Sequence, residues 1–254
     1  VLFLNGNSMK NIKDGTCFET EKEKQVSACV FGNGPKNEVL LGKGVYKQYG
    51  VGENGFNVSS CQFSIHYFFE TKKSLHGFLR NVSECTKLGG HFISTGYDGD
   101  KVFQLLKNKK NGESYTIMKN DKKIFEITKR YDETSLPDDH LSLNYPIDVY
   151  QESINKTFKE YLVQFGFFNR VMENYGFVLL NTEEANAMNL PDGSVMFEKM
   201  YANMEEESNQ NKYLKSNVRT AFNMSPEEKS LVRHHSSMQG PTRLIRELIP
   251  RIEL

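Results

Sequence analysis

The chain has 254 residues, enough for one large domain with a substantial hydrophobic core. Basic and acidic residues balance at 32 each, which argues against electrostatic binding of nucleic acid by the whole protein surface. The balance still allows local basic patches. The sequence contains no apolar run of about eighteen residues and no signal-peptide pattern. Its four cysteines lack CxxC spacing, which argues against zinc and favours reduced thiols in a cytosolic setting.

The first half of the chain alternates between predicted strands and helices. A short strand is predicted at residues 1–4, and residues 13–55 are predicted to form a long connecting segment with at most one short helix. Apolar side chains recur at i, i+3, i+4 and i+7 between residues 71 and 87, which predicts a helix that ends at Gly89-Gly90. The other elements predicted here are strands at residues 55–61 and 91–95 and a helix at 102–106. This order predicts a parallel, doubly wound sheet.

A lysine-rich excursion is predicted at about residues 107–130. It contains two β-like runs, at residues 115–118 and 124–128, joined by a turn at Asn120-Asp121. Such a cluster is either the solvated face of a hairpin or a guide for a phosphate backbone, and the sequence leaves both interpretations open.

The remaining predicted elements are a long helix, a strand and a short helix. Helical spacing of aromatic and methionine residues predicts a long helix from Tyr161 to Tyr175, followed by a strand at residues 177–180. Thr182 is predicted to be the N-cap of a short helix.

His234-His235 is a bare pair without carboxylate or cysteine partners, so no metal site is predicted there.

The most informative stretch runs from Asn57 to Glu70, a strand that ends in polar and aromatic side chains. These side chains are Gln62, Phe63, His66 and Tyr67. In open α/β sheets, ligands bind at the carboxyl ends of the strands. Tyrosine can stack on a purine, imidazole and glutamine can bond its edge, and phenylalanine supplies an apolar face. The alternative is an ordinary semi-buried strand end. We interpret the combination as a nucleobase site.

Glu160 is the second candidate. It is predicted to lie in the first turn of the long helix, where the helix dipole favours a carboxylate without any functional role. The functional alternative is that it accepts hydrogen bonds from the ring N–H and exocyclic amine of guanine. The residue pattern alone leaves both interpretations open.

Several stretches carry a specific pattern. They are Ser60-Cys-Gln-Phe-Ser-Ile-His-Tyr-Phe-Phe-Glu70, Phe78-Leu-Arg-Asn-Val-Ser-Glu84, Gly89-Gly-His-Phe-Ile-Ser-Thr95 with Asp98-Gly99, Lys159-Glu-Tyr-Leu-Val163 and Met172-Glu-Asn-Tyr-Gly-Phe-Val-Leu-Leu180. Over about residues 1–228 the chain thereby resembles the mRNA cap (guanine-N7) methyltransferase family. Phe31-Gly-Asn-Gly-Pro-Lys36 and Leu41-Gly-Lys-Gly-Val-Tyr46 make it similar to the methyltransferase part of the multifunctional capping enzymes of large DNA viruses.

The resemblance implies an α/β, Rossmann-like S-adenosylmethionine-dependent methyltransferase fold with S-adenosylmethionine as cofactor. By resemblance, the cofactor-binding residues are Asn7, Ser8, Gln62 and Phe63. By the same resemblance, the residues that bind the cap guanine are His66, Tyr67, Tyr97 and Glu160. Tyr97 stands where many members have a proline, and Asn7 stands where the family usually has an aspartate.

The chemistry of this transfer needs no general base, because guanine N7 carries an in-plane lone pair and no proton. No catalytic acid or base is therefore expected, and Phe63, His66 and Tyr67 are predicted to position the reactants. Positive charge moves to the base during transfer, which acidic and π-rich walls accommodate. No metal is expected.

The family's glycine-rich cofactor motif would precede Val1, so we expect an N-terminally truncated domain at residues 1–228 that is weak or inactive alone. A sheet edge left unpaired would favour aggregation or a partner segment. Residues 229–254 show no resemblance and are expected to be a divergent or unstructured tail.

Two kinds of partner follow from the resemblance. One is the capped 5′ end of mRNA (GpppN), and the other is an upstream part of the same polypeptide with triphosphatase and guanylyltransferase domains. No membrane partner is expected, and the expected location is the cytoplasm, or a viral factory or virion for a viral protein. The alternatives are a non-catalytic cap-binding remnant or scaffold, and a methyltransferase for another small molecule.

Overall fold

The computed structural model describes residues 1–210 and the backbone of residues 242–247. Its helices are α1 (Glu21–Val30), α2 (Glu38–Leu41), α3 (Lys43–Tyr46), α4 (Lys72–Cys85), α5 (Gly99–Leu105), α6 (Phe165–Glu173), α7 (Thr182–Ala187) and α8 (Phe197–Gln210). Its strands are β1 (Phe56–Gln62), β2 (Thr86–Thr95), β3 (Ser114–Lys119), β4 (Lys122–Lys129), β5 (Pro146–Gln151), β6 (Lys156–Tyr161), β7 (Phe177–Leu179), β8 (Ser194–Val195) and β9 (Thr242–Glu247). Short 3-10 helices lie at Ile65–Glu70 and His140–Ser142.

The first sheet is mixed and has the order β1-β2-β9-β7, with β8 paired to β9. β1 and β2 are parallel, with Gln62 opposite Thr95 at their carboxyl ends, whereas β9 runs antiparallel to β2 and to β7. The predicted α/β class is confirmed. The predicted parallel pairing is confirmed for β1 and β2, and the other described pairings in this sheet are antiparallel. After α5 the chain enters a second sheet instead of adding a third parallel strand.

The second sheet is an antiparallel meander with the order β3-β4-β5-β6. Its first hairpin turns at Asn120 (φ +49°) and Asp121 (φ +59°), two residue types that tolerate the left-handed region required by a tight turn. The predicted hairpin is therefore confirmed. Two of its lysines, Lys122 and Lys123, form ion pairs with Glu152 and Glu126.

Helix α4 begins as the sequence predicts. The hydroxyl of its N-cap residue Thr71 accepts a hydrogen bond from the backbone N–H of Ser74 at 3.1 Å, and the Ser74 hydroxyl accepts one from the N–H of Thr71 at 3.0 Å. Leu75 and Leu79 are fully buried on the predicted apolar face. The helix itself is therefore confirmed.

The end of α4 differs from the prediction, because Gly89-Gly90 lies inside β2 and does not terminate the helix. Thr86 already pairs with Phe56, and the next pairing joins Val58 to His91. β2 thus carries extra residues in an irregular bulge, where Gly89 adopts φ +74°. Glycine adopts this angle at position 89 without strain, and at Gly90 a Cβ atom would lie 2.8 Å from the Lys87 carbonyl oxygen.

The N-terminal predictions are wrong in two places. Residues 1–4 form no strand in the described structure, and Phe3 remains 91% exposed. Residues 13–55 hold three helices, α1 to α3, and not at most one. Helix α1 is started by Thr20, which shares a capping box with Glu23, a signal that the low apolar content of this segment obscured.

Two later helix starts also differ. α6 begins at Phe165 and not at Tyr161, because Tyr161 is the last residue of β6. The N-cap of α7 is Asn181 and not Thr182, since the Asn181 side chain accepts from the N–H of Glu184 at 2.9 Å.

Two hydrophobic clusters lie on either side of residues 161–163, where β6 ends. The first packs α4 and α6 against the mixed sheet through Phe69, Leu79, Phe92 and Phe168. The second packs α5 against the antiparallel sheet through Val102, Leu106, Ile127 and Ile147. Tyr161 and Val163 belong to the first cluster and Leu162 to the second, so this segment joins both cores.

Within the described residues, no helix is both long enough and apolar enough to cross a bilayer. The same residues contain no group of three or more His, Cys, Asp or Glu side chains that could hold a metal ion. The predicted tail at 229–254 lies outside the described residues except for the backbone of β9, and the His234-His235 pair lies outside them entirely.

Candidate functional site

A cavity of about 350 Å³ lies between the carboxyl ends of β1 and β2 and the antiparallel sheet. Five residues predicted from the sequence line it, namely Phe63, His66, Tyr67, Tyr97 and Glu160. Five further lining residues are Gly96, Val149, Gln151, Ile154 and Phe158. We call it the aromatic cavity. Its volume is at the lower end of the range of small-molecule sites, about 300–1,000 Å³.

The 3-10 helix Ile65–Glu70 places His66 and Tyr67 at the aromatic cavity. Its residues Ile65 and Phe69 are fully buried in the first hydrophobic cluster and hold it in place. The rings of His66 and Tyr67 meet edge to face, with centroids 4.3 Å apart. His66 is buried, whereas Tyr67 is 37% exposed, so part of its side chain is accessible.

Glu160 lies in β6, opposite Ile147 of β5. Its predicted position in a helical first turn is therefore wrong, and a helix dipole does not account for this carboxylate. Phe158 and Glu160 are two residues apart and point to the same face of the strand, which is the face that lines the aromatic cavity.

His66 and Glu160 form the most unusual contact of the site. His66 Nδ1 lies 3.5 Å from Glu160 Oε2, and both side chains are buried. Among the described residues, neither ring nitrogen of His66 nor Glu160 Oε2 has a hydrogen-bond partner. Burial lowers the pKa of His66 to about 4 and raises the pKa of Glu160 to about 8.

At neutral pH the pair is therefore a neutral imidazole beside a largely protonated carboxyl group, and not an ion pair. Buried polar atoms without partners are costly, and a ligand that bonds them recovers that cost. The site consequently favours a ligand with a polar edge and flat apolar faces.

Tyr97 links the exit of β2 to the antiparallel sheet. Its hydroxyl accepts a hydrogen bond from Gln151 Nε2 at 3.0 Å, and its ring lies 6.3 Å from that of Phe125. Burial, with a smaller contribution from the charge of Glu160, holds the pKa of Tyr97 well above its usual range. Tyr97 therefore acts as a neutral wall of the aromatic cavity.

Sequence reasoning missed the contribution of the second sheet. Val149 and Gln151 of β5 reach the aromatic cavity at alternate positions, as do Phe158 and Glu160 of β6. This period of two is the signal that could have identified them. Phe197 was also missed; its ring centroid lies 5.7 Å from that of Phe63, and no local pattern indicated that contact.

Three of the predicted cofactor residues lie outside the lining of the aromatic cavity. Gln62 directly precedes Phe63, and its amide bonds Ser60 and Thr95. Asn7 and Ser8 are exposed, and the Ser8 carbonyl accepts a hydrogen bond from Asn81 at 2.8 Å. The structure thus separates the predicted cofactor residues into one group at the end of β1 and one in the N-terminal segment.

The fold and the site define an α/β protein with a polar, aromatic-walled cavity at the carboxyl ends of two parallel strands. The family model for the mRNA (guanine-N(7))-methyltransferase domain matches residues 9–229, and the chain belongs to that family.

Individual relatives agree with this assignment. The chain is 35% identical over 126 residues to a probable mRNA-capping enzyme of Acanthamoeba polyphaga mimivirus, a match that covers 48% of this chain and 10% of that protein. It is 30% identical over 150 residues to an mRNA cap guanine-N(7) methyltransferase of Caenorhabditis briggsae, covering 57% of this chain and 37% of that protein. The matched regions thus span only part of these relatives.

Among solved structures, an S-adenosylmethionine-dependent methyltransferase from Clostridium acetobutylicum matches at 13% identity with a TM-score of 0.34 over half of each chain. That likeness is slight.

Proposed function

We propose that this domain transfers a methyl group to N7 of the guanosine cap of mRNA. The observation that carries the proposal is the buried carboxyl group of Glu160, whose Oε2 lacks a hydrogen-bond partner in the described structure and lies in an aromatic-walled cavity. Guanine presents its N1–H and its exocyclic amine side by side, and a carboxylate accepts both in a bidentate way. Adenine offers no such pair of donors on this edge.

In this proposal the other walls hold the plane of the base. The partly exposed rings of Phe63, Tyr67 and Phe158 offer faces on which a purine stacks. The neutral imidazole of His66 donates to or accepts from the edge of the base, which would provide a partner for a ring nitrogen that has none.

The proposed reaction depends on positioning. Guanine N7 is already a nucleophile, so these side chains have no proton to remove and act by holding N7 in line at near-attack distance. The positive charge that develops on the base is favoured by the π faces of Phe63 and Tyr67 and by ionised Glu160. Residues of this chain therefore contribute orientation and electrostatics.

The methyl donor implied by the family is S-adenosylmethionine, which supplies an electrophilic sulfonium methyl group when bound. The residues at the end of β1 fit this group, because Phe63, which is 47% exposed, lines the aromatic cavity and the exposed Gln62 directly precedes it. We propose that Gln62 and Phe63 separate the cofactor from the cap. Exposed Asn7 and Ser8 would offer hydrogen bonds to the adenine edge.

The proposed substrate is the capped 5′ end of mRNA. The similarity to a viral capping enzyme supports a larger polypeptide as the context of this domain. We propose that the triphosphatase and guanylyltransferase steps belong to that larger protein.

The proposal is tested by calorimetric titration of the full chain with GpppA and with ApppA. We expect GpppA to bind and ApppA to bind far more weakly. Glu160→Gln replaces one acceptor oxygen of the carboxylate by an NH2 group that can only donate. This variant should weaken GpppA binding by about 1–3 kcal/mol. Glu173→Gln, which changes an exposed carboxylate at the end of α6, is the control and should bind like the unmodified chain.

Equal affinity of the Glu160→Gln variant, or equal binding of ApppA, would contradict the role of Glu160. Methyl transfer from S-adenosylmethionine to GpppA is measured in parallel. Cap binding without transfer would favour a non-catalytic cap-binding domain. Binding of S-adenosylhomocysteine without binding of GpppA would favour a methyltransferase for another small molecule.

A further inference from the structure

Phe63 has a backbone conformation that large residues rarely adopt. Its φ is +49°, and the other described non-glycine residues with positive φ are all Asn or Asp. For a bulky side chain this region is strained and persists only where surrounding contacts impose it. Strain of this kind concentrates at functional sites, and Phe63 lies at the edge of the aromatic cavity.

The backbone N–H of Phe63 is bonded by Thr95, the last residue of β2. The N–H of Phe63 donates to the Thr95 carbonyl at 3.1 Å and to the Thr95 hydroxyl at 3.0 Å. The same hydroxyl donates to Gln62 Oε1 at 2.8 Å. Thr95 is 5% exposed, so water cannot readily replace these bonds.

We propose that Thr95 is a positioning residue for the methyl transfer, because its hydroxyl holds both the strained backbone of Phe63 and the amide of Gln62. This inference rests on the proposed function. Thr95 does not line the aromatic cavity and acts through its two neighbours.

The arrangement is a chain of hydrogen bonds from the Phe63 N–H through the Thr95 hydroxyl to Gln62 Oε1, in which each bond polarises the next. The far side of the Gln62 amide is held as well, since Nε2 donates to the Ser60 hydroxyl at 2.9 Å. Loss of the Thr95 hydroxyl would leave Gln62 Oε1 without this donor. The Phe63 N–H would then keep only its bond to the Thr95 carbonyl. The Phe63 backbone can then relax toward negative φ, which moves its ring.

The test compares Thr95→Val with Thr95→Ser in the full chain. Valine keeps the shape and strand preference of threonine but removes the hydroxyl, whereas serine keeps the hydroxyl. The matched control is Thr86→Val at the other end of β2, which removes a buried hydroxyl 2.6 Å from that of Ser59. This control measures the effect of losing a buried hydroxyl from the same strand.

We expect Thr95→Val to lower kcat for GpppA methylation by about 10- to 100-fold, with KM for GpppA changed by less than about threefold, because misplacement costs rate more than binding. Thr95→Ser and Thr86→Val should stay within about threefold of the unmodified chain in both constants. Unchanged kcat in the Thr95→Val variant would overturn the proposal, and so would an equal loss in the Thr86→Val control.

A second readout keeps this inference separate from the proposed function. A positive φ at Phe63 imposes a short distance between its amide and α protons, which an NMR cross-relaxation measurement detects without any ligand. We expect Thr95→Val to lose this short distance and Thr95→Ser to keep it. If the unmodified chain transfers no methyl group, the proposed function fails, and a lengthened distance in Thr95→Val alone would still support Thr95 as the residue that holds Phe63. An unchanged distance would overturn the inference.

Discussion

At the scale of single residues, the site is defined by a mismatch between chemistry and surroundings. The carboxyl group of Glu160 lies in a cavity whose other walls are mainly apolar or aromatic. The titratable group in contact with it is the imidazole of His66. Burial disfavours charge on both groups, so each is neutral where it is ordinarily charged or partly charged. A pair of this kind stabilises the fold poorly and is better explained by a ligand that bonds it.

The raised pKa of Glu160 predicts that cap binding depends on pH. The proposed contact needs the ionised carboxylate, while the pKa of the free site is about 8, so binding below that pH must release a proton. Affinity for GpppA should therefore increase as pH rises from 6 to 8, by at most about tenfold per pH unit. The neighbouring groups that titrate are His66 below this window and Tyr67 and Tyr97 above it.

Titration calorimetry at pH 6, 7 and 8 in buffers of different ionisation enthalpy measures both the affinity and the released proton. Glu160→Gln serves as the control, since it should show a flat profile across the same range. A flat profile for the unmodified chain would show that Glu160 is not the group that ionises on binding.

At the scale of elements, the site depends on the junction between the 3-10 helix Ile65–Glu70 and α4. The N-cap Thr71 directly follows this 3-10 helix, and the Ser74 hydroxyl donates to the carbonyls of Phe68 and Thr71. The start of α4 therefore holds the segment that carries His66. Stability of one helix terminus is thereby linked to the geometry of the aromatic cavity.

Thr71→Ala should destabilise the protein by about 1 kcal/mol, because the backbone N–H of Ser74 loses its capping acceptor. For a chain of this size that corresponds to a decrease of roughly 2–4 °C in the unfolding midpoint. Thermal unfolding followed by circular dichroism measures it. Thr71→Ser keeps the acceptor and should unfold near the unmodified chain; an alanine variant that is equally stable would show that the cap contributes nothing.

At the scale of the whole molecule, the aromatic cavity is shared by two sheets. Three hydrogen bonds join the segments that follow β1 and β2 to the antiparallel sheet and its flanking loop. Tyr161 donates to Glu70 at 2.6 Å, and the N–H of Asn144 donates to the Phe69 carbonyl at 2.9 Å. Gln151, which lines the aromatic cavity, donates to Tyr97 at 3.0 Å. A base bound between Tyr67 and Glu160 would add another link. Ligand binding should therefore stabilise both sheets together.

Hydrogen exchange measured by mass spectrometry checks this prediction. With saturating GpppA we expect slower exchange both in peptides that contain Ile65–Glu70 and in peptides that contain β5 and β6, because a ligand bound to the closed state suppresses local opening. ApppA should leave exchange in both regions unchanged. Protection confined to one sheet would contradict a site shared between them.

Local elements of this chain were largely predictable from short-range signals. The helix at α4, the hairpin with Asn120-Asp121 and the parallel strands β1 and β2 follow from periodicity, capping and turn chemistry over a few residues. One error arose where those signals conflict. Aromatic residues after Tyr161 mimic helical spacing, yet Tyr161 itself ends a strand, because pairing with Pro146 places it in the antiparallel sheet.

The sequence by itself determined the α/β class, the polar and aromatic end of β1, and the resemblance through which Tyr97 and Glu160 were named. Only the tertiary structure brought Glu160 to 3.5 Å from His66, added β5 and β6 as the opposite wall, and placed Thr95 behind Phe63. The physical reason is that periodicity and capping report on neighbours along the chain. Contacts between residues nearly a hundred positions apart depend on how two sheets and two cores pack, and no local pattern encodes that packing.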